Sequence, residues 1–345
     1  MIPELLSFCC VSYNHEKYIE SCIKSIWNND YKNIEIFVLD DGSEDNSVNV
    51  LNGLKSISPC PMTVISQKNT GCIGANYNKL LKMANGEFIS IISCDDALIE
   101  NTVNQKVQMM LDDKNIAYIC NSRITGIDEN GNETNGVPKM KLDSYKNPGS
   151  QDILELDFND FHSYFTQGSV YRRDVILAFG GFDEDMICDD IIFRTKLSRY
   201  MLEHPELQFK VLHSPAVYYR LHSSNVSRNS LRQLSGIIEY LDRYWNDMAP
   251  PDILYKWLDF YAASADSKED FLNLFENNNY ASKILEKKNY RDWFLNNKEF
   301  KSMGILYKRF GIPYILCWEK YKKQNYRTLV IRLFNIKIFK YTFQL

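Results

Sequence analysis

Short apolar stretches alternate with longer stretches of helical spacing over the first 120 residues of the chain. Residues 16–28, for example, place Ile19, Ile23 and Ile26 on one face of a helix. An alternation of strands and helices predicts parallel strands joined by crossover helices, which is an α/β fold. The expected strands lie at 5–13, 34–43, 62–67, 88–93 and 115–120, and the expected helices at 16–28, 44–57, 73–87 and 99–113.

The predicted strands are apolar along most of their length, which is typical of a sheet covered by helices on both faces. In such sheets, ligands bind beyond the carboxyl ends of the strands. Three polar clusters follow strands in this sequence: Ser12–Asn14, Asp40–Ser43 and Ser93–Asp96. We therefore expect these clusters to converge on one ligand site.

Adjacent carboxylates occur in two of these clusters and again at Asp189 and Asp190, where a helix is predicted. Like charges this close repel each other and are costly to bury. Mg²⁺ and Mn²⁺ bind through carboxylates together with substrate phosphates, which would offset the repulsion. Helix capping is the alternative role for Asp189 and Asp190, because acidic residues stabilise a helix N-terminus.

Two common phosphate-binding motifs are absent from the sequence. It contains no G-x-x-x-x-G-K-[ST] loop and no G-x-G-x-x-G after the first predicted strand. The formal net charge of -4 does not favour a nucleic-acid partner. The pattern favours a phosphate-bearing substrate held by a divalent metal.

Seven sequence segments occur in a characteristic order between residues 5 and 230. They are "VSYNHEKYIESCIKSIW" (11–27), "EIFVLDDGSEDNS" (35–47), "NTGCIGANYNKLLKMANGEFISIISCDD" (69–96), "GSVYRRDVI" (168–176), "GGFDE" (180–184), "CDDIIFRTKLS" (188–198) and "YRLHSSNVS" (219–227). Each segment alone has little specificity, but in this order they closely resemble the family-2 glycosyltransferases of the GT-A fold.

The resemblance implies a GT-A domain at residues 1–230, with a Rossmann-like, mostly parallel sheet flanked by helices. Within that domain, a nucleotide-binding half is expected at 1–98 and an acceptor half at 99–230. The remaining residues, 231–345, are predicted to form a mainly helical C-terminal extension that ends in a basic aromatic tail.

The resemblance also implies which residues hold the nucleotide. The D-D-G-S turn is expected to contact base and ribose, with Asp41 as the main contact and Asp40 beside it. Asn78 is a further candidate, although a position on the helix surface is the alternative. The complete set of expected nucleotide-binding residues is Val11, Ser12, Tyr13, Asp40, Asp41, Asn69, Gly71, Asn78, Ser93 and Asp95.

For the metal and the chemistry, the resemblance assigns four residues. Asp95 aligns with the metal-binding carboxylate of the family's D-x-D stretch, whereas Ser93 replaces the usual first aspartate. His222 is expected to contact the metal or the diphosphate, with a plain loop role as the alternative. Asp190 is the expected catalytic base, and Asp189 stands where the family usually has glutamate. The expected cofactor is Mn²⁺ or Mg²⁺, and His15 is expected to have a structural or capping role.

The implied reaction is transfer of a hexose from a nucleotide-sugar donor, with UDP as the expected nucleotide. The expected acceptor is a hydroxyl of a glycan or a polyprenyl-diphosphate-linked sugar in bacterial surface polysaccharide synthesis, such as O-antigen, capsule or lipopolysaccharide. A single base opposite the leaving group implies inversion at the anomeric carbon. A nucleotidyltransferase on a related fold and a non-catalytic nucleotide-sugar-binding homologue are the alternatives.

The C-terminal tail differs in charge from the rest of the chain. Residues 301–345 contain ten Lys or Arg and one acidic residue, Glu319, so their net charge is +9 and that of the rest is -13. Within the tail, 307–343 interleaves aromatic with basic residues, a pattern that favours anionic membrane surfaces. The alternatives are a helical cap on the catalytic domain or a contact in a homo-oligomer.

The nine cysteines include no C-x-x-C pair, and the sequence has no signal-peptide pattern and no apolar run of about 18 residues. We therefore expect a reduced cytoplasmic protein that contacts the inner face of the plasma membrane through its tail.

Overall fold

The computed structural model describes residues 1–137, 139–225, 230–264, 279–286, 317–323, 326–333 and 336–344. Two compact units divide the chain, Met1–Arg228 and Asn229–Leu345.

A nine-stranded mixed sheet forms the centre of the described part of the first unit. The strand order is β3-β2-β1-β4-β8-β6-β9-β5, and β7 pairs with β6. Neighbours among β1, β2, β3 and β4 are parallel, as are β6 and β9. The strands are β1 (Ile2–Ser12), β2 (Ile34–Asp40), β3 (Met62–Ser66), β4 (Gly86–Ser93), β5 (Ala97–Leu98), β6 (Ile116–Ile127), β7 (Glu133–Thr134), β8 (Val170–Arg172) and β9 (Gln208–Arg220).

Helices connect these strands and flank the sheet, so the predicted α/β fold with a mostly parallel sheet is confirmed. The predicted helix at 16–28 corresponds to α1, and the helix predicted at Asp189 and Asp190 corresponds to α7. The helices are α1 (Ile19–Trp27), α2 (Ser47–Ser56), α3 (Ile73–Met83), α4 (Asn104–Asp112), α5 (Ser150–Asp160), α6 (Arg173–Ala178) and α7 (Asp189–Glu203).

Strand β1 shows why the strands lack polar alternation. Successive side chains of a strand point to opposite faces of the sheet. Phe8 and Cys10 pack in a core layer with Ile23 of α1, whereas Cys9 and Val11 pack in a second layer with residues of α3. Both faces are therefore covered, and each fully buried large apolar side chain contributes roughly 1.5–3 kcal/mol of transfer free energy.

Strand register brings the three polar clusters to one edge of the sheet. Ser12 pairs with Asp40, and Val11 pairs with Ser93. Beyond the strands, the Asp41 N–H donates to the Ser12 carbonyl at 2.9 Å, and the Cys94 N–H donates to the Val11 carbonyl at 2.9 Å. The carboxyl ends of β1, β2 and β4 are thus level with one another.

The second unit contains α8 (Ser230–Tyr244), α9 (Asp252–Ser264) and α10 (Asn279–Glu286), followed by an antiparallel sheet. That sheet consists of β10 (Cys317–Lys323), β11 (Tyr326–Leu333) and β12 (Ile336–Gln344). The prediction of helical structure is therefore wrong for 317–344. Segments such as "TLVI" and "IKIF" are rich in β-branched residues, which favour strands over helices.

Apart from the backbone of these three strands, the predicted membrane-contacting segment 307–343 lies outside the described residues. Among the residues that are described, no helix is long and apolar enough to cross a bilayer.

Candidate active site

The D-D-G-S turn after β2 is closed by its own aspartates. The fully buried Asp40 carboxylate accepts hydrogen bonds from the Ser43 N–H at 2.9 Å and the Ser43 hydroxyl at 2.6 Å. Gly42 has a φ of 78°, and a Cβ there would lie 2.6 Å from the Asn69 nitrogen. Only glycine suits this position. The same short distance shows that Asn69, a predicted nucleotide contact, lies directly against the turn.

Asp41 holds the loop that follows β3. Its carboxylate accepts from the Thr70 N–H at 3.0 Å and from the Gln67 side-chain amide at 2.9 Å. Burial raises the pKa of Asp41, but these hydrogen bonds outweigh it and leave that pKa below its ordinary value. Asp41 thus positions the loop that contains Asn69 and Gly71, and the latter has a φ of 68°.

The segment after β1 lies beside this turn. The Asn14 N–H donates to the Ser43 hydroxyl at 2.8 Å, which joins the two polar clusters. Val11 and Ser12 are buried, and the Ser12 hydroxyl has no hydrogen-bond partner in the described structure. Tyr13 is 43% exposed.

Asn78, another predicted nucleotide contact, is used elsewhere. Its amide nitrogen donates to the Phe182 carbonyl at 2.8 Å and to Glu184 at 3.0 Å, and its oxygen accepts from the Phe182 N–H at 2.9 Å. These bonds join α3 to the "GGFDE" segment. These bonds give Asn78 a structural role, and its contact with the nucleotide stays a prediction.

Asp95 lies between two histidines just beyond β4. His222 Nε2 is 3.1 Å from Asp95 Oδ2, and His15 Nε2 is 3.7 Å from the same oxygen. One ligand atom of each residue lies within 4.8 Å of the others. Burial raises the pKa of Asp95, but the hydrogen bond with His222 and the charge of His15 lower it to about 2. Asp95 is therefore an anion at neutral pH.

The three residues fit a divalent metal ion. Asp95 Oδ1 is buried without a hydrogen-bond partner, and so is His15 Nδ1. Burial lowers the pKa of His15, which favours the neutral imidazole that metals bind. His222 is oriented through its other ring nitrogen, which lies 2.8 Å from the Ser224 hydroxyl. Orientation of this kind is typical of histidines that bind metals.

The neighbouring carboxylate, Asp96, has the opposite electrostatic environment. Burial and the negative charge of Asp95 raise the pKa of Asp96 well above its ordinary value. Its carboxylate accepts from the Arg220 N–H at 2.8 Å, and the Arg220 Nε donates to the Asp95 carbonyl at 2.9 Å. The raised pKa of Asp96 lessens the repulsion anticipated between the two aspartates.

Ser93 and the acidic pair at α7 are linked to a segment that precedes β8. The Ser93 N–H donates to Gln167 Oε1 at 2.8 Å, and the hydroxyl of the neighbouring Thr166 donates to the Asp190 carboxylate. Burial and the charge of Asp190 raise the pKa of Asp189 to about 7. The two aspartates therefore share less than two full negative charges near neutral pH.

Sequence reasoning missed three residues of this site. His15 was expected to be structural but belongs to the Asp95 group, and its position after the first strand was the available signal. Arg220 belongs to the "YRLHSSNVS" segment (219–227), in which only His222 has a predicted role. Thr166 carried no signal, because only the folded chain brings its hydroxyl to Asp190.

Comparisons with known proteins identify the family of the chain. The family model "Glycosyl transferase family 2" matches residues 7–179. EpsH of Bacillus subtilis (strain 168), which is assigned as a glycosyltransferase, is 27% identical over 252 residues, covering 68% of this chain and 67% of EpsH. The GalNAc(5)-diNAcBac-PP-undecaprenol beta-1,3-glucosyltransferase of Campylobacter jejuni is 27% identical over 169 residues, which cover 49% of this chain and 53% of that enzyme.

Two solved structures share the fold. S. aureus TarS 1–349 in complex with UDP-GlcNAc has a TM-score of 0.55 and 19% identity, covering 85% of this chain and 78% of its own. The mannosyltransferase PcManGT from Pyrobaculum calidifontis, in complex with GDP-Man and Mn²⁺, has a TM-score of 0.50 and 14% identity. The match covers 85% of this chain and 83% of PcManGT. At these identities the likeness establishes a GT-A-like fold and nothing finer.

Proposed function

Because the chain belongs to glycosyl transferase family 2, it is a glycosyltransferase, and we propose that it transfers a sugar from a UDP-linked donor to an acceptor hydroxyl with inversion. The observation that carries this proposal is the group formed by His15, Asp95 and His222 at the carboxyl end of β4. It lies where α/β sheets bind their ligands and where a donor diphosphate needs a cation.

The donor nucleotide is proposed to lie against Val11, Ser12 and Tyr13. The Ser12 hydroxyl is buried without a hydrogen-bond partner, and Tyr13 has accessible surface. Asp41 acts on the nucleotide through the loop it holds, which contains Asn69 and Gly71. The complex of TarS with UDP-GlcNAc supports a UDP-linked donor for a chain of this fold.

The metal is proposed to be held by Asp95, His222 and His15, with Ser93 contributing to the ribose side. When bound, a divalent cation neutralises the charge that develops on the departing diphosphate. Imidazole ligands favour Mn²⁺ over Mg²⁺, which prefers an all-oxygen environment. The Mn²⁺ in the PcManGT complex is consistent with this preference.

Asp190 is proposed to remove the proton of the acceptor hydroxyl. A carboxylate that is held in place can act as a general base. The Thr166 hydroxyl donates to one of its oxygens and holds the carboxylate in place. A single base facing the side opposite to the leaving group gives inversion of the anomeric carbon.

The acceptor is proposed to be a glycan or a polyprenyl-diphosphate-linked sugar of a bacterial surface polysaccharide. The name of the Campylobacter relative specifies an undecaprenol-linked acceptor. A lipid-linked acceptor is consistent with a cytoplasmic enzyme whose basic segment 307–343 contacts the membrane surface. A dimer contact remains the alternative role of that segment.

The test is a donor panel with the purified chain. UDP-, GDP- and dTDP-linked sugars are incubated with Mn²⁺, with Mg²⁺ or with a chelator, and release of the nucleoside diphosphate is measured. We expect turnover of a UDP-sugar that is fastest with Mn²⁺ and is lost with the chelator. Saturable donor binding without any turnover would contradict the proposal and support a non-catalytic homologue.

A further inference from the structure

A short turn before β8, residues 166–168, contacts both sides of the proposed active site. Thr166 is fully buried, and its hydroxyl donates to Asp190, the proposed base. Gln167 accepts a hydrogen bond from the Ser93 N–H at 2.8 Å, two residues before the proposed metal ligand Asp95. One turn therefore contacts the proposed acceptor side through Thr166 and the proposed donor side through Gln167.

Gly168 restricts the conformation of this turn. Its φ is 71°, and a Cβ at this position would lie 2.6 Å from Val217 Cγ2 of β9. Its N–H donates to the Ile91 carbonyl of β4 at 3.1 Å. The turn is thus enclosed between two strands, and a shift of its backbone would displace the Thr166 hydroxyl.

The Gly168 carbonyl of this turn is held by a buried lysine. Lys106 of α4 is completely inaccessible, and its Nζ donates to the Gly168 carbonyl at 2.6 Å. Among the described ion pairs, none includes Lys106. Burial lowers the pKa of Lys106 to about 7. A buried amine without a carboxylate partner is costly, and an apolar residue would fill this space more favourably.

We propose that Thr166 is a positioning residue for Asp190 in the transfer reaction and that Lys106 sets its placement by holding the Gly168 carbonyl. This inference rests on the proposed function, since it takes Asp190 as the base. It assigns a role in catalysis to two residues that do not touch the substrate. It also explains why a lysine, and not an apolar residue, occupies this buried position of α4.

The first test compares Thr166→Val with Thr166→Ser, using the nucleotide sugar selected by the donor panel. Valine keeps the shape of threonine without the hydroxyl, whereas serine keeps the hydroxyl. We expect Thr166→Val to lower kcat at least tenfold with donor KM and the affinity for UDP and Mn²⁺ unchanged. Thr166→Ser should restore most of kcat, which recovery of packing alone would not achieve.

The second test is a double-mutant cycle with Lys106→Met. If Lys106 acts through Thr166, the variant that carries both Thr166→Val and Lys106→Met should be no slower than Thr166→Val alone. Lys55→Met is the matched control, because Lys55 is exposed on α2. Thermal unfolding and UDP binding show whether Lys106→Met is folded, and Lys106→Gln provides a polar substitute if it is not.

The outcomes separate the inference from the proposed function. An inactive Asp190→Asn together with a fully active Thr166→Val overturns the inference and leaves the function in place. If the fold losses in kcat of Thr166→Val and Lys106→Met multiply in the double variant, the proposed role of Lys106 is overturned. Full activity of Asp190→Asn overturns both the base assignment and the inference.

Discussion

His222 Nε2 lies 3.1 Å from Asp95 Oδ2, although 127 residues separate the two in the chain. The fold brings the end of β9 to the end of β4, so that an imidazole and a carboxylate lie together with His15. This relationship underlies the proposed metal site and leads to the first two predictions.

Replacement of His222 by Ala should lower both Mn²⁺ affinity and turnover. The loss should exceed the roughly 10–100-fold that is typical when a residue that only supports a metal ligand is replaced. The physical reason is the loss of one of three ligands. Mn²⁺ affinity is measured directly by electron paramagnetic resonance. His213→Ala is the control, because His213 pairs with Asp143 outside the Asp95 group. Equal Mn²⁺ affinity in the two variants would refute the assignment.

His15→Ala should lower Mn²⁺ affinity about tenfold, less than His222→Ala, because His15 lies farther from Asp95 Oδ2. Mn²⁺ titration and the metal dependence of kcat report the effect. A variant that loses thermal stability but binds Mn²⁺ like the wild type would indicate that His15 is structural, as expected from the sequence.

Asp190→Asn should lower kcat by about 10²–10⁴-fold, the usual contribution of a general base. Donor affinity should remain close to that of the wild type, because the substitution leaves the Asp95 group intact. Steady-state kinetics together with UDP binding measure the two quantities. The base assignment fails if kcat is preserved.

The raised pKa of Asp189 should make the stability of the folded chain depend on pH. That pKa rises from 3.8 to about 7 on folding, so between these values the folded state binds more protons than the unfolded state. Stability contributed by this group is therefore greatest at low pH and declines as the pH rises towards 7. Asp189→Asn should consequently raise the melting temperature at pH 8 and have little effect at pH 4.

The control for this pH effect is Asp112→Asn, which changes an exposed carboxylate at the end of α4. Thermal unfolding of both variants at pH 4, 6 and 8 gives the comparison. The same stabilisation in both variants at pH 8 would count against a specific contribution of Asp189.

The buried ion pair of Asp157 and Arg194 should contribute more to the free energy of unfolding than an exposed pair does. Arg194 donates to both oxygens of Asp157, and these side chains are 4% and 0% exposed. Asp157→Ala leaves a buried guanidinium without its partner and should cost about 3–5 kcal/mol of unfolding free energy. The matched control is Glu20→Ala, which breaks the exposed pair with Lys24 and should cost less than about 1 kcal/mol. Urea unfolding distinguishes the two.

The fold of the first unit could be predicted because its strands and helices are marked by local hydrophobic periodicity. The prediction of a mainly helical extension at 231–345 did not anticipate 317–344, where the chain pairs as three strands. Strand pairing depends on partners elsewhere in the chain, and a single segment does not reveal them. Asn78 shows the same limit, because its amide is used by Phe182 and Glu184.

The amino-acid sequence alone determined the α/β alternation and the position of carboxylates at the strand ends, because both depend on residues close together in the chain. Only the tertiary structure decided what each carboxylate meets: His15 and His222 at Asp95, Arg220 at Asp96, and Thr166 at Asp190. Burial raises the pKa of both aspartates, but the two histidines lower that of Asp95, whereas the charge of Asp95 raises that of Asp96 further. Adjacent identical residues acquire different chemistry because each faces a different part of the folded chain.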